Sequence, residues 1–208
     1  MTTRRSLPAD VFPETLSRLR PVKREQLNDA QQKLYDALTA PRSGRLNLAG
    51  IKGPGGVTLR MPKLLSSVGD VNRMLRVEIG LDEALVELAI LAAAREIRSP
   101  FVWAMHEPVA LEAGVSAATI DVIRHGRPLD GLPDRQAALI QLARESIGAH
   151  QVAPKTYATV LALFGEEDLL HYSLLMANYA QHAILLAVVG KELHDHQTPG
   201  LPAHADER

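Results

Sequence analysis

Apolar residues recur at intervals of three and four along most of the chain, and no stretch sustains a period-two alternation of β-branched residues. The pattern therefore predicts helices and no sheet. Residues 1–27 carry Pro8, Pro13 and Pro21 and read as an extended arm with at most a short helix. Asn28 is a candidate N-cap for a helix to about Leu38. Residues 41–60, rich in Gly and Pro around GIKGPGG, read as a long ordered loop of the kind that is more often functional or interfacial than incidental. Pro62 can open a helix to about Ile79, where Gly80 is placed to end it. Asp82 reads as the cap of a helix over 83–97 that is apolar on most sides and so should be buried. Ser99 and Pro100 start another, ending at Gly114, with Pro108 expected to bend or break it. Ser116 caps a short helix to about Arg124. Residues 133–148 and 154–164 form two amphipathic helices, and 166–193 a long, largely apolar final one. The expected fold is an all-α bundle of about seven to nine helices. Its expected divisions are an arm over 1–27, a helical domain over 28–193 and a loose polar tail over 194–208.

Composition narrows the function classes. The chain has 208 residues, a formal net charge of -1 and intermixed acidic and basic positions, so it has no clustered basic face for nucleic acid or an anionic membrane. The unbroken apolar run at residues 183–189, which no other run exceeds, is far short of the roughly 20 residues of a membrane span. MTTRRSLPAD shows no apolar run after its arginines, unlike a secretory signal, and the expected location is the cytoplasm. The cysteine count is zero, which excludes disulfides, thiolate metal sites and dithiol redox cycles within the chain.

The candidate chemistry lies in residues 84–116. Glu87 sits within an apolar helix face, and a buried carboxylate costs several kcal/mol unless it is paired. His106 lies on the next helix, antiparallel if the connection is tight, and can face it. Two readings stand side by side: a structural hydrogen-bonded pair, or a proton-carrying pair suited to general acid–base work near neutral pH. A second polar set, His171, Asn178 and His182, shares a face of the final helix beside Tyr172 and Tyr179. It reads as an oligomer interface, as satisfied core polar groups, or as a wall completing the pocket. The eleven-residue separation of His171 and His182 is not that of an in-helix metal pair, and no metal is expected. His194, Asp195 and His196 read as solvated, the methionines at 61, 74, 105 and 176 as core filler, and Gly53, Gly55 and Gly56 lack the strand–helix context of a phosphate loop. Trp103, one turn before His106, reads as pocket wall or plain core.

Glu87, Ser99, Trp103, His106, Ala110, Ala113, Gly114 and Ser116, with GPGGVTLRMP upstream and VELAILAAAR, resemble the carboxymuconolactone decarboxylase and alkylhydroperoxidase family over about residues 20–190. The resemblance implies an all-α homo-oligomer with a buried site beside the helix carrying His106. In the peroxidase branch a Glu precedes Cys-x-x-Cys-x-x-x-His. Those cysteine positions fall here on Ser99 and Val102, so the resemblance implies the proton relay without the redox step. The expected function is a cofactor-independent decarboxylase or lyase acting on a small oxo- or lactone-carboxylate. His106 would be its acid–base group, Glu87 its orienting partner, and Ser99, Val102, Trp103, Asn178 and His182 its pocket lining. Alternatives are an isomerase or hydrolase on the same scaffold, and a non-catalytic small-ligand-binding or assembly homolog. The expected partners are a small-molecule substrate and copies of the chain, as a dimer, trimer or higher oligomer.

Overall fold

The computed structural model describes residues 6–40 and 52–202. Among these residues there are eight α-helices and no strand, with one isolated bridge between Phe12 and Ser17, so the all-α expectation holds. The helices are α1 (Asp29–Thr39), α2 (Gly55–Thr58), α3 (Pro62–Arg73), α4 (Glu83–Glu96), α5 (Pro100–Glu112), α6 (Ala117–His125), α7 (Asp134–Ala143) and α8 (Pro154–Val188). Their starts follow from local chemistry. The Asn28 side chain accepts from the Gln31 amide at 3.0 Å, Asp82 Oδ1 from Leu85 at 2.9 Å, Ser99 Oγ from Val102 at 3.4 Å and Ser116 Oγ from Thr119 at 3.0 Å. Each satisfies an amide that the first turn leaves without an intrahelical partner.

Several expectations need correction. Met61 and Met74, expected as core filler, are exposed, and His194, expected as solvated, is half-buried beside Phe101. Residues 41–51 of the expected loop lie outside the described residues, and Gly55–Thr58 forms one helical turn that seats Val57 and the fully buried Leu59 in the interior. Pro108 does not break α5, which runs through it to Glu112; a proline removes one backbone donor, and the packed flanks carry the helix past it. The final helix stops at Val188 rather than Leu193. Gly190 turns the chain with a φ of 57°, and the Val189 carbonyl is taken by the Arg18 amide at 2.8 Å. The amide of Glu192 returns the contact to the Leu16 carbonyl at 2.8 Å, so residues 8–19 hook onto the end of α8.

α8 is two helices in series. Gly165, with φ 79° and ψ 172°, redirects the chain between 154–164 and 166–188. α4 is the centre of the bundle, buried from Leu85 to Ala94 and packed by α5, α6, α7 and α8. That placement puts Glu87 in the driest part of the molecule.

One face remains apolar and exposed. On α8 the positions 170, 174, 177, 181, 184 and 188 advance by alternating steps of four and three; Leu170, Leu174, Ile184 and Val188 among them are exposed. Leu64, Val71, Met74 and Val77, on α3 and the turn after it, are also exposed. A groove of about 340 Å³ between the two elements is lined by Leu64, Val71, Leu174 and Asn178. Among the described residues no helix is long and apolar enough to cross a membrane.

The backbone at Gly165 lies in a region open essentially to glycine alone. Gly165→Ala is expected to lower the unfolding free energy by about 1–3 kcal/mol. Gly69→Ala, in regular α3 where a Cβ would meet nothing within 4 Å, should leave stability unchanged or raise it by up to about 1 kcal/mol. Urea titration of both variants distinguishes these outcomes.

Candidate active site

α4 and α5 bring Glu87 and His106 together. Glu87 is fully buried and His106 nearly so, and Glu87 Oε2 lies 2.7 Å from His106 Nδ1. The second carboxylate oxygen, Oε1, accepts from Arg76 Nη2 at 2.6 Å. Arg76 stands on a widened π-helical turn, Met74–Glu78, that continues α3, a local geometry frequent at functional sites. Its Nε is buried without a hydrogen-bond partner among the described residues. α8 closes the far side: the Tyr179 ring packs edge-on against His106 at 4.9 Å between centroids, and His182 lies 5.9 Å from Tyr179.

The charges follow from these contacts. Burial works against an ionised Glu87, but the hydrogen bonds and charges of His106 and Arg76 outweigh it and hold the carboxyl below its ordinary 4.5. For His106, burial drives the pKa below the ordinary 6.5; Glu87 opposes that, and Arg76 and His182 add to it. Tyr179 is pushed up, by burial first. The resting state is therefore an ionised Glu87 beside a neutral imidazole. Because an ionised carboxylate only accepts, the imidazole proton sits on Nδ1 and Nε2 carries the lone pair. The expectation of a pair holding a proton near neutrality changes because burial, reinforced by the charge of Arg76, disfavours the imidazolium.

The remaining candidates are spread more widely. His182 Nδ1 donates to the Asn178 carbonyl at 2.7 Å, and His182 also borders a cavity of about 80 Å³ beside Pro54, Val57 and Gly69. Asn178 donates from Nδ2 to Asn72 Oδ1 at 3.0 Å, on the Arg76 side. Ser99 borders a different cavity, of about 330 Å³, while Val102 is buried in the core. Trp103 turns toward Glu107, donating to Oε2 at 2.8 Å, with Arg124 over its ring at 5.6 Å and Gly200 directly against the indole. His171 pairs with Asp168 at 3.4 Å. Arg76 was the residue that sequence reasoning missed. The available signal was that a buried carboxylate with only a neutral imidazole beside it remains uncompensated. Among the described residues no group of three His, Asp or Glu side chains is arranged to hold a metal ion.

Residues 62–144, which span α3 to α7 and include Arg76, Glu87 and His106, match the family model described as the carboxymuconolactone decarboxylase family. Over these residues the chain is similar to that family, and its sequence contains no cysteine. Neither the curated proteins nor the solved structures gave a match. The α8 walls of the site, Tyr179 and His182, lie beyond the family match.

Both Glu87 and His106 have folded-state pKa values below their unfolded ones, so their contribution to stability is present above the unfolded values and is lost as pH falls. The unfolding free energy should decline as pH drops below 6.5, through His106, and decline further below 4.5, through Glu87. His106→Gln should flatten the first part of that decline. Arg76→Met should raise the His106 pKa, read by NMR titration of the ring, and destabilise the fold by about 3 kcal/mol because a buried carboxylate loses its cation.

Proposed function

We propose that the protein is a cytoplasmic, cofactor-independent decarboxylase or related lyase acting on a small oxo- or lactone-carboxylate, with His106 as its acid–base group and Glu87 as the residue that orients it. The observation that supports this most is the chain Arg76–Glu87–His106, at 2.6 and 2.7 Å, inside the family-matched region. Arg76 keeps Glu87 ionised. Glu87 holds the ring by Nδ1 and stabilises the imidazolium when it forms, leaving Nε2 to exchange a proton with substrate. As the anionic substrate binds, Nε2 takes up a proton from solvent; loss of CO₂ then leaves an enolate, and transfer of that proton from Nε2 to its carbon completes the reaction and returns the ring to neutral. Glu87 plays the part that a buried carboxylate plays beside any catalytic imidazole: it fixes tautomer and orientation.

A second reading is favoured by one observation: within the single chain Glu87 is fully buried and His106 is 3% exposed. A sealed triad serves a non-catalytic homolog as a core hydrogen-bonded network, with binding or assembly as its function. Under either reading the chain associates with copies of itself, as a dimer or trimer, through the α8 seam. Its four–three spacing is that of helices packed knobs-into-holes. A face of this size left in water is unusual for a monomer.

Screening small oxo- and lactone-carboxylates for CO₂ release identifies the substrate, and two variants then assign the roles. His106→Gln should abolish turnover, a loss of about 10²–10⁴-fold, with Glu87→Gln losing less. A rate that falls as pH rises marks protonated His106 as the donor; a rate that rises marks it as a base, as in an isomerase. Full activity in the folded fraction of both variants would leave only the structural reading. Light scattering should give a multiple of 22.7 kDa, and Leu174→Lys with Ile184→Lys should reduce it to the monomer mass.

A further inference from the structure

The cavity that borders Ser99 lies away from the Glu87–His106 pair. It opens between the start of α5, the end of α8 and the segment after it, and its volume is about 330 Å³, at the lower end of small-ligand pockets. Its walls are apolar over Phe101, Ala183, Leu186 and Leu193. At its edge stands Lys191. The Lys191 ammonium lies 5.4 Å from the centroid of the Phe101 ring, which puts the charge at the cavity wall. It donates to the Thr15 carbonyl at 3.0 Å and the Leu16 carbonyl at 3.3 Å. Those two bonds use two of the three donors of an ammonium, and both acceptors are uncharged. Among the described residues no carboxylate lies within ion-pair distance of it, although Glu192 also borders the cavity.

The surroundings add positive charge. Lys52 opposes the charge on Lys191 while Glu192 favours it, and Lys191, His196 and Lys52 oppose a charge on His194 while Asp195 favours it; the His194 ring lies 6.0 Å from that of Phe101. Burial first, and then Lys52, lower the Lys191 pKa to about 8. A half-buried ammonium facing an apolar cavity, without a carboxylate partner and with other cations nearby, is the arrangement that an anion relieves.

From this cavity and the unpaired ammonium at its edge, we infer that the protein binds a small organic monoanion there, an aryl or short aliphatic carboxylate. Its apolar body lies against Phe101, Ala183 and Leu186, and its carboxylate against Lys191. Ser99 and His106 are seven residues apart on α5, about 10 Å along the helix, so the binding does not depend on the acid–base reading of His106.

Phenylacetate and its neutral isostere phenylacetamide, titrated calorimetrically into the full chain, test the inference. Phenylacetate should bind, and phenylacetamide should bind at least about tenfold more weakly. Lys191→Arg should keep phenylacetate binding and Lys191→Met should lose it. Lys191 also holds the N-terminal hook, so Ala187→Phe, at the exposed rim of the cavity and away from those bonds, provides a second variant that should block binding with the melting temperature unchanged. His106→Gln should bind phenylacetate as the unmodified chain does, which separates this site from the reaction proposed above. Equal binding of acid and amide, undiminished binding by a folded Lys191→Met, or amide shifts clustering on the separate groove between α7 and α8, lined by Ala137, Gln141, Thr156 and Ala162, instead of α5 and Lys191 would each overturn it.

Discussion

The ionised carboxylate of Glu87 is the constraint around which the interior is arranged. α4 is buried along ten consecutive residues, and Glu87 lies inside that run. Without partners such a group would neutralise or unfold its surroundings. The cation comes from Arg76, presented by a turn that departs from α-helical winding, and the neutral donor comes from His106 on the antiparallel neighbour. Tyr179 then packs its ring edge against the imidazole from α8. α4, α5 and the widened turn are thus held in register by two oxygens, and α8 by the ring contact. The same contacts that make the carboxylate tolerable also set the charge and tautomer of the histidine.

Much of this was readable in the sequence, because the signals are local. Asn28, Asp82, Ser99 and Ser116 cap the helices they were expected to cap, since a side-chain oxygen beside a bare helix start has few other uses. A lone carboxylate in an apolar run demands a partner, and the next helix supplied one polar candidate. Arg76 was hidden because its aim depends on a π turn that leaves no mark in the spacing of polar residues. The hook of residues 8–19 was hidden for another reason. It is made through backbone groups of Leu16, Arg18, Val189 and Glu192, whose side-chain pattern says nothing of the contact. Trp103 lies one turn from His106, as the spacing required, yet it faces Glu107 and Arg124. Spacing places a residue on a helix but leaves open which neighbour a large ring will choose.

The molecule separates its chemistry from its exposed surfaces. The triad is enclosed by α3, α4, α5 and α8. The apolar seam runs along the outer face of α3 and α8, and the groove there reaches Asn178, which bonds to Asn72 one turn before Arg76. Burying that groove against another helix would further dehydrate Arg76, whose side chain is still 20% exposed, and so strengthen its hold on Glu87. If the chain associates through this seam as proposed, Arg76 is the residue of the triad that the association would reach, although no residue of the triad itself forms the seam.

The triad also governs the proton balance of the proposed reaction. At rest Arg76, Glu87 and His106 sum to zero charge. Protonating His106 would leave a net positive charge in a desolvated interior, which is why burial holds its pKa down. An anionic substrate beside the ring reverses that cost: its carboxylate favours the imidazolium, so the arrival of substrate turns a resting base into an acid. Decarboxylation then balances. The carboxylate leaves as neutral CO₂, the negative charge moves to the enolate, and proton transfer from His106 to carbon removes both charges together. The site returns to zero, ready for the next anion. A neutral substrate would give no such activation and would meet His106 only as a base. In the proposed reaction the resting charge state, set by burial together with Arg76 and Glu87, would thus favour carboxylates at the level of the proton.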